Sequence, residues 1–174
     1  MPVETIIEDD RWLTVGLDAL ADRAAGAVLA HMGLDADEAE ISLLACDDAR
    51  ITVLNGEFRD KPTPTNVLSW PAEDLSPDTP GGDPLPPEPD PTGELALGDI
   101  AISWDTCARE AQAADKPMAD HVTHLVVHGL LHLLGYDHVE DADATMMEGL
   151  EAEILAGLGL ENPYIVADGP GRPG

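Results

Sequence analysis

Residues 120–138 read DHVTHLVVHGLLHLLGYDH and contain five of the six histidines of the chain. With Pro117 near its start and Gly135 at its end, this stretch predicts a helix over about 117–134. Apolar residues between the histidines form a neighbouring stripe that packs on a core. Four histidines follow one another at spacings of three, four and four residues and share one helical face: His121, His124, His128 and His132.

Two of these histidines have the spacing of metal ligands. His128 and His132 lie one helical turn apart, so both imidazoles can reach one metal ion. Gly135 permits the left-handed turn that brings His138 back to a third position. Three neutral imidazoles leave a tetrahedral zinc ion one open position, as in catalytic centres. The sequence therefore predicts one Zn²⁺ held by His128, His132 and His138, against the alternatives of hydrogen-bonded histidines or an adventitious site.

Other polar residues of the stretch carry weaker signals. We expect His121 on a solvated helix face, whereas His124 stays open between a hydrogen-bond partner of a ligand and a packed helix residue. Asp137 either orients a ligand imidazole or belongs to the turn. Gly129 stands where metalloproteases of the HExxH type have their glutamate, which disfavours peptide hydrolysis by that route.

Strand and helix periods follow one another along the rest of the chain. Short strands precede a helix-rich second half, which predicts an α+β fold with a small mixed β-sheet, helices packed against it, and a zincin-like metal site without the catalytic Glu. Strands are predicted at about 3–7, 40–46, 67–70 and 99–103, and helices at about 15–32, 47–59, 104–114, 117–134 and 141–156.

The length of 174 residues suits one domain, which we expect over residues 1–167. Residues 71–93 hold 8 of the 15 prolines and no basic residue, a composition that predicts a loop insertion. Residues 168–174, which are rich in glycine and proline, predict a flexible tail.

The charge balance restricts the partners of the chain. With 8 Lys+Arg against 35 Asp+Glu, the formal net charge is −27, so any contact with nucleic acid is local rather than spread over a basic surface. The sequence has no membrane-length apolar run and no signal-peptide start, and we expect a cytoplasmic protein. Cys46 and Cys107 are expected as inert core thiols.

The histidine run from His128 to His138 resembles the HGxLHLxGYDH signature of the YbeY endoribonucleases, the rRNA maturation factors. Residues 54–59 (LNGEFR), 65–70 (TNVLSW) and 97–100 (LGDI) are similar to the LNxxYR, TDVLSF and LGDI segments of that family. The resemblance covers about residues 40–164. Asn66 and Trp70 depart from it, because the family has Asp and Phe at these positions.

The resemblance implies a zinc-dependent, single-strand-specific endoribonuclease that acts in rRNA processing and maturation and in ribosome quality control. It assigns the zinc to the three histidines of the signature and carries the family arginine over to Arg59 as a catalytic residue. The implied partners are single-stranded or ribosomal RNA, with ribosomal proteins or a ribosome-associated GTPase beside it, and neither DNA nor membrane. The general base stays open among a metal hydroxide, His124, Asp99 and Asp137.

Two other functions compete with RNA cleavage. The scarcity of cations favours a non-catalytic, zinc-stabilised ribosome assembly factor that binds ribosomal or GTPase partners. A hydrolase acting on a small or peptide substrate would keep the open zinc site, although Gly129 counts against the protease version.

Overall fold

The structure is a computed structural model that describes residues 3–72, 75, 87, 89, 91–136 and 141–160. Strands and helices occur in the predicted order, with one additional 3₁₀ helix at Asp10–Val15. The strands are β1 (Val3–Ile7), β2 (Ala39–Cys46), β3 (Val67–Pro71) and β4 (Leu95–Ser103), and the helices are α1 (Leu17–His31), α2 (Asp48–Arg59), α3 (Trp104–Ala113), α4 (Met118–Leu133) and α5 (Asp141–Gly157).

The four strands form one mixed sheet in the order β1-β2-β4-β3. β1, β2 and β4 run parallel, and β3 pairs with β4 in the antiparallel direction. In the centre of the sheet, Leu43 of β2 and Ser69 of β3 both lie in register with Ile100 of β4. The predicted α+β class with a small mixed sheet is therefore confirmed.

Helices cover the two faces of the sheet unequally. The main core lies between one face and the helices α1, α4 and α5, with the alternating residues Ile41, Leu43 and Ala45 of β2 pointing into it. On the other face, Ile51 and Leu54 of α2 form a smaller cluster with strand residues. Every second side chain of a strand thus points into the larger core, which explains why apolar residues alternate along the strand sequences.

Helix α4 ends at a glycine turn. Gly135 has a φ of 102°, in the region that side chains rarely adopt, and Tyr136 N donates to the carbonyl of Leu131 over 3.0 Å. Helix α5 then packs back along α4, which places Glu151 beside His128 and Leu155 beside His124. The middle of the histidine stripe, His124 and His128, thus faces α5.

The 3₁₀ helix is anchored by a tryptophan. The Trp12 side chain is fully buried, and its indole Nε1 donates to the carbonyl oxygen of Cys46 over 2.9 Å. Cys46 and Cys107 are both free and buried, as predicted. Burial raises the pKa of the Cys46 thiol to about 12 and that of the Cys107 thiol further, so both thiols stay protonated at neutral pH.

Most of the predicted insertion at 71–93 and the whole predicted tail at 168–174 lie outside the described residues. In the ranges that are described, no helix is both long and apolar enough to cross a membrane.

Candidate metal centre

The histidines of α4 form the predicted stripe. Successive ring centroids from His121 through His124 and His128 to His132 lie 6.4, 6.3 and 4.6 Å apart. The last pair is the closest, and its rings stand almost perpendicular to each other at 81°. The distance between successive rings is therefore smallest at the C-terminal end of α4, where the metal ligands are predicted.

His128 and His132 bring two ring nitrogens together. Their Nε2 atoms lie 3.1 Å apart. Two nitrogen ligands of one tetrahedral zinc ion, each about 2.0–2.1 Å from the metal, are separated by about 3.3 Å. The same distance also suits a hydrogen bond between one protonated and one unprotonated nitrogen. This imidazole pair therefore fits two positions of a metal centre with little movement.

A buried carboxylate lies behind this pair. Oε1 of Glu151, on α5, is 2.6 Å from Nδ1 of His128 and 3.4 Å from Nε2 of His124, and the Glu151 side chain has no exposed surface. Histidines that bind metals almost always donate their second ring nitrogen to a carboxylate, a carbonyl or a water. Nδ1 of His128 has such a carboxylate partner in Glu151.

Glu151 is not among the site residues predicted from the sequence. A signal was present, because Glu151 lies four residues after Met147 and three before Ile154, which are both buried. An acidic residue at that spacing belongs to the apolar face of the helix and needs a partner inside the protein.

A second set of donors overlaps with the first. His124, His128 and Glu151 each offer one ligand atom, and these atoms all lie within 4.8 Å of one another, so this group could hold a metal ion. However, the 2.6 Å between Nδ1 of His128 and the carboxylate is shorter than the separation of about 3.3 Å between two ligands of tetrahedral zinc. The observed distance is that of a hydrogen bond.

The expectation that His121 lies on a solvated face is wrong. Its side chain is only 13% exposed, and its Nε2 lies 2.9 Å from Oε1 of Glu110 on α3. The same carboxylate accepts a hydrogen bond over 3.0 Å from Nδ2 of Asn66, just before β3. Asn66 and His121 thus meet at one glutamate that joins α3, α4 and the start of β3. Glu110 is 44 residues from Asn66 and 11 residues from His121 in the sequence. Local sequence patterns therefore do not predict these contacts.

The structure describes only some of the remaining residues that were predicted for the site. His138 and Asp137 lie outside the described residues, as does the Arg59 side chain, although Arg59 is the last residue of α2. Asp99 lies in the middle of β4 rather than at its start, in register with Ser42 on β2, and is exposed. The structure therefore brings together two of the three predicted ligands and does not describe the third.

Gly129, the residue after His128, faces the sheet. A Cβ at Gly129 would lie 3.2 Å from Oγ of Ser69 and 3.3 Å from Cδ1 of Ile100. The Ser69 hydroxyl also donates to the Gly129 carbonyl over 3.3 Å. A side chain at this position would press against β3 and β4, which agrees with the expectation that Gly129 disfavours HExxH-type peptide hydrolysis.

Comparison with known proteins places the chain among relatives that share nearly its whole length. Endoribonuclease YbeY from Ruegeria pomeroyi is 68% identical over 164 residues, covering 94% of this chain and 98% of the relative. Endoribonuclease YbeY from Ruegeria sp. strain TM1040 is 56% identical over 170 residues, covering 98% and 100%. The solution structure of TM1509 from Thermotoga maritima shares the fold, with a TM-score of 0.54 at 19% identity over 98% of this chain and 99% of the other.

The family comparison agrees with these relatives and confirms the resemblance seen in the sequence. A sequence model of the family described as Endoribonuclease YbeY matches residues 7–159, from the end of β1 to just beyond α5. The chain therefore belongs to the YbeY endoribonuclease family.

Proposed function

We propose that this chain is a zinc-dependent endoribonuclease that cuts single-stranded RNA in rRNA processing and maturation and in ribosome quality control. The observation that carries the proposal is the pair of Nε2 atoms of His128 and His132, 3.1 Å apart, with a buried carboxylate on the far side of His128. Relatives named endoribonucleases share more than half of the sequence over nearly its whole length. We place the activity in the cytoplasm.

His128, His132 and His138 are the proposed ligands of one zinc ion. When bound, zinc supplies Lewis-acid polarisation of a phosphoryl oxygen and acidifies a water molecule. The chain holds the two described ligands on consecutive turns of α4, a helix whose apolar face is buried against the sheet. The His128 side chain retains 20% exposure, so the proposed site is not sealed inside the core.

Arg59 is the proposed catalytic side chain besides the ligands. It ends α2 and is followed by Asp60, whose φ of 57° turns the chain away from the helix. A guanidinium near the scissile phosphate stabilises the negative charge that gathers on its oxygens in the transition state. We assign this role to Arg59 on the family resemblance of LNGEFR at 54–59.

The wider organisation is also part of the proposal. Residues 1–167 act as one metal-hydrolase-like domain, with a loop insertion at 71–93 and a flexible tail at 168–174. The proposed substrate is single-stranded or ribosomal RNA rather than DNA, and ribosomal proteins or a ribosome-associated GTPase are the proposed protein partners.

The test is RNA cleavage by the purified full-length chain loaded with zinc. We expect it to cut single-stranded RNA and to leave single-stranded DNA and double-stranded RNA of the same sequence intact. His128→Ala should lower the cleavage rate by more than the 10–100-fold that follows loss of a ligand's hydrogen-bond partner. His31→Ala is the matched control, because His31 lies on α1 and contacts Glu153 at 3.1 Å. Equal cleavage by wild type and His128→Ala would refute the proposal.

The charge of the molecule favours a second candidate, a zinc-stabilised assembly factor without catalytic activity. Besides the net charge of −27, the basic side chains of Arg11, Arg50 and Arg109 are already bound to carboxylates. This candidate predicts that zinc raises the melting temperature while no RNA is cut under any condition. The same zinc-loaded sample therefore separates the two functions.

A further inference from the structure

We infer that Glu151 is a positioning residue that holds His128 with its proton on Nδ1 and directs the Nε2 lone pair towards the point shared with His132. The inference rests on the proposed function, in which His128 and His132 bind the metal. It assigns to α5 a part in the site that the histidine motif of α4 does not contain.

The burial of Glu151 is the first support. Its side chain has no exposed surface, and Met147, Ile154 and Leu155 of the same helix are buried around it. A carboxylate removed from water is strongly destabilising unless polar groups inside the protein satisfy it. His128 and His124 are polar groups within reach of its Oε1. Two histidines of the stripe are thus partners of this buried carboxylate.

The distance is the second support. At 2.6 Å, the distance between Oε1 of Glu151 and Nδ1 of His128 is just below the range of about 2.7–2.9 Å that is typical of charge-assisted N–H···O hydrogen bonds. An ionised carboxylate only accepts hydrogen bonds, so with Glu151 ionised the hydrogen of this bond lies on Nδ1. In a neutral imidazole the other nitrogen then carries the lone pair, and Nε2 is the atom that lies 3.1 Å from Nε2 of His132.

His124 supplies a second contact to the same oxygen. Its Nε2 lies 3.4 Å from Oε1 of Glu151, a longer and weaker contact than that of His128. The oxygen lies between two imidazoles that follow each other on α4, which restricts rotation of the carboxylate. His124 thus contacts Glu151, the proposed positioning residue.

The first experiment compares two glutamates of α5. In the full-length protein, the zinc affinity of Glu151→Gln and Glu153→Gln is measured by competition with a chelator. Glu153 is matched because it lies on the same helix and carries the same charge, but its side chain is 67% exposed and contacts His31. We expect Glu151→Gln to weaken zinc binding by about 10–100-fold and Glu153→Gln to leave it within about twofold. An unchanged affinity in Glu151→Gln would overturn the inference.

The second experiment detects the tautomer directly and controls for misfolding. In the metal-free protein at a pH where imidazole is neutral, ¹⁵N NMR should show the proton of His128 on Nδ1. In Glu151→Leu, which has no acceptor, this preference should be reduced, while circular dichroism and the NMR dispersion of α4 and α5 stay those of a folded protein. A folded Glu151→Leu variant in which His128 keeps the wild-type tautomer would contradict a positioning role.

A third measurement distinguishes positioning from direct ligation. If Glu151 positions His128, His132→Ala should abolish stoichiometric zinc binding, whereas Glu151→Gln only weakens it. If Glu151 is instead a ligand together with His124 and His128, zinc binding should survive His132→Ala and be lost in Glu151→Gln, and the inference would be wrong. Failure of the proposed function gives a separate result. If the variants bind zinc as expected for a positioning role but the wild-type protein cuts no RNA, the nuclease assignment is refuted and the role of Glu151 is not.

Discussion

Gly98 lies where β4 carries one residue more than its neighbour. The register with β2 passes from the pair Glu40 and Ala96 to the pair Ile41 and Gly98, so Leu97 is the extra residue. Gly98 has a φ of 139°, and a Cβ there would collide with the carbonyl oxygen of Trp70 on the next strand. Only glycine satisfies both the backbone angle and the space.

We predict that Gly98→Ala destabilises the protein by about 2–5 kcal/mol, because a strained backbone and a steric collision add. Urea unfolding measures this change. Gly26→Ala is the control, and its effect on stability should be the opposite. Gly26 lies within α1, and no atom lies within 4 Å of a Cβ built there. The substitution should therefore stabilise the protein by about 0.5–1 kcal/mol. If Gly98→Ala unfolded at the wild-type urea concentration, the steric account of the bulge would fail.

At the candidate site, the sequence predicted what depends on local spacing. His128 and His132 are four residues apart on one helix, so their approach follows from helix geometry alone. Glu151 is 23 residues from His128 and reaches it only because α5 packs along α4. The contact of His121 with Glu110 likewise depends on how two helices dock. Helix docking depends on the whole core, which periodicity in one segment does not determine.

Among the elements, the starts of α2 and α3 are joined by one aspartate. Oδ1 of Asp48 accepts hydrogen bonds of 2.6 Å from both Ser103 and Thr106, and Oδ2 accepts one of 2.9 Å from Arg109. The Asp48 backbone N–H donates in turn to Asp105 over 3.0 Å. Partial burial opposes ionisation, but these three hydrogen bonds hold the pKa of Asp48 below its ordinary value.

We predict that Asp48→Asn lowers the free energy of unfolding by about 1–3 kcal/mol at pH 7, because the hydroxyl of the fully buried Ser103 loses a charged acceptor. Since the folded-state pKa of Asp48 is lowered, its contribution is present above the unfolded pKa of about 3.9 and is lost as pH falls through the folded value. Wild type and variant should therefore converge in urea unfolding below about pH 4.

The exposed Asp37→Asn removes the same charge without this network and should leave the stability at pH 7 within about 0.5 kcal/mol. A constant difference between wild type and Asp48→Asn from pH 7 down to pH 2 would show that ionisation of Asp48 is not the cause.

The order and type of the elements were predictable because each strand and helix has a clear apolar period. Two elements show the limit of this signal. β4 begins at Leu95 rather than near Asp99, because the extra residue at Leu97 interrupts the alternation in the first half of the strand. The 3₁₀ helix at Asp10–Val15 is too short for a period, and the contact of Trp12 with Cys46 that anchors it joins distant residues.

On the scale of the whole molecule, the net charge of −27 acts against compactness. Few ion pairs offset it, because the chain has only 8 basic residues for 35 acidic ones. Arg11, which lies 2.6 Å from Asp9 and 2.8 Å from Asp105, is one cation that contacts two carboxylates. The uncompensated acids repel one another across the surface.

We predict that sodium chloride stabilises this protein. Raising the salt from about 0.01 M to about 1 M shortens the screening length from about 30 Å to about 3 Å, which suppresses long-range repulsion more than it weakens the few ion pairs. The melting temperature of the zinc-free protein should rise steadily over this range. A melting temperature that fell with added salt would mean that attractive pairs outweigh the repulsion.

The strand order β1-β2-β4-β3 has a consequence for synthesis on the ribosome. β2 is completed at Cys46, but its second neighbour β4 ends only at Ser103. At about 5–20 residues per second, translation of residues 47–103 takes about 3–11 s, during which one edge of an apolar strand has no partner in its own chain. Because a net charge far from zero opposes association, we expect the acidic excess to hinder contact between nascent chains during this interval.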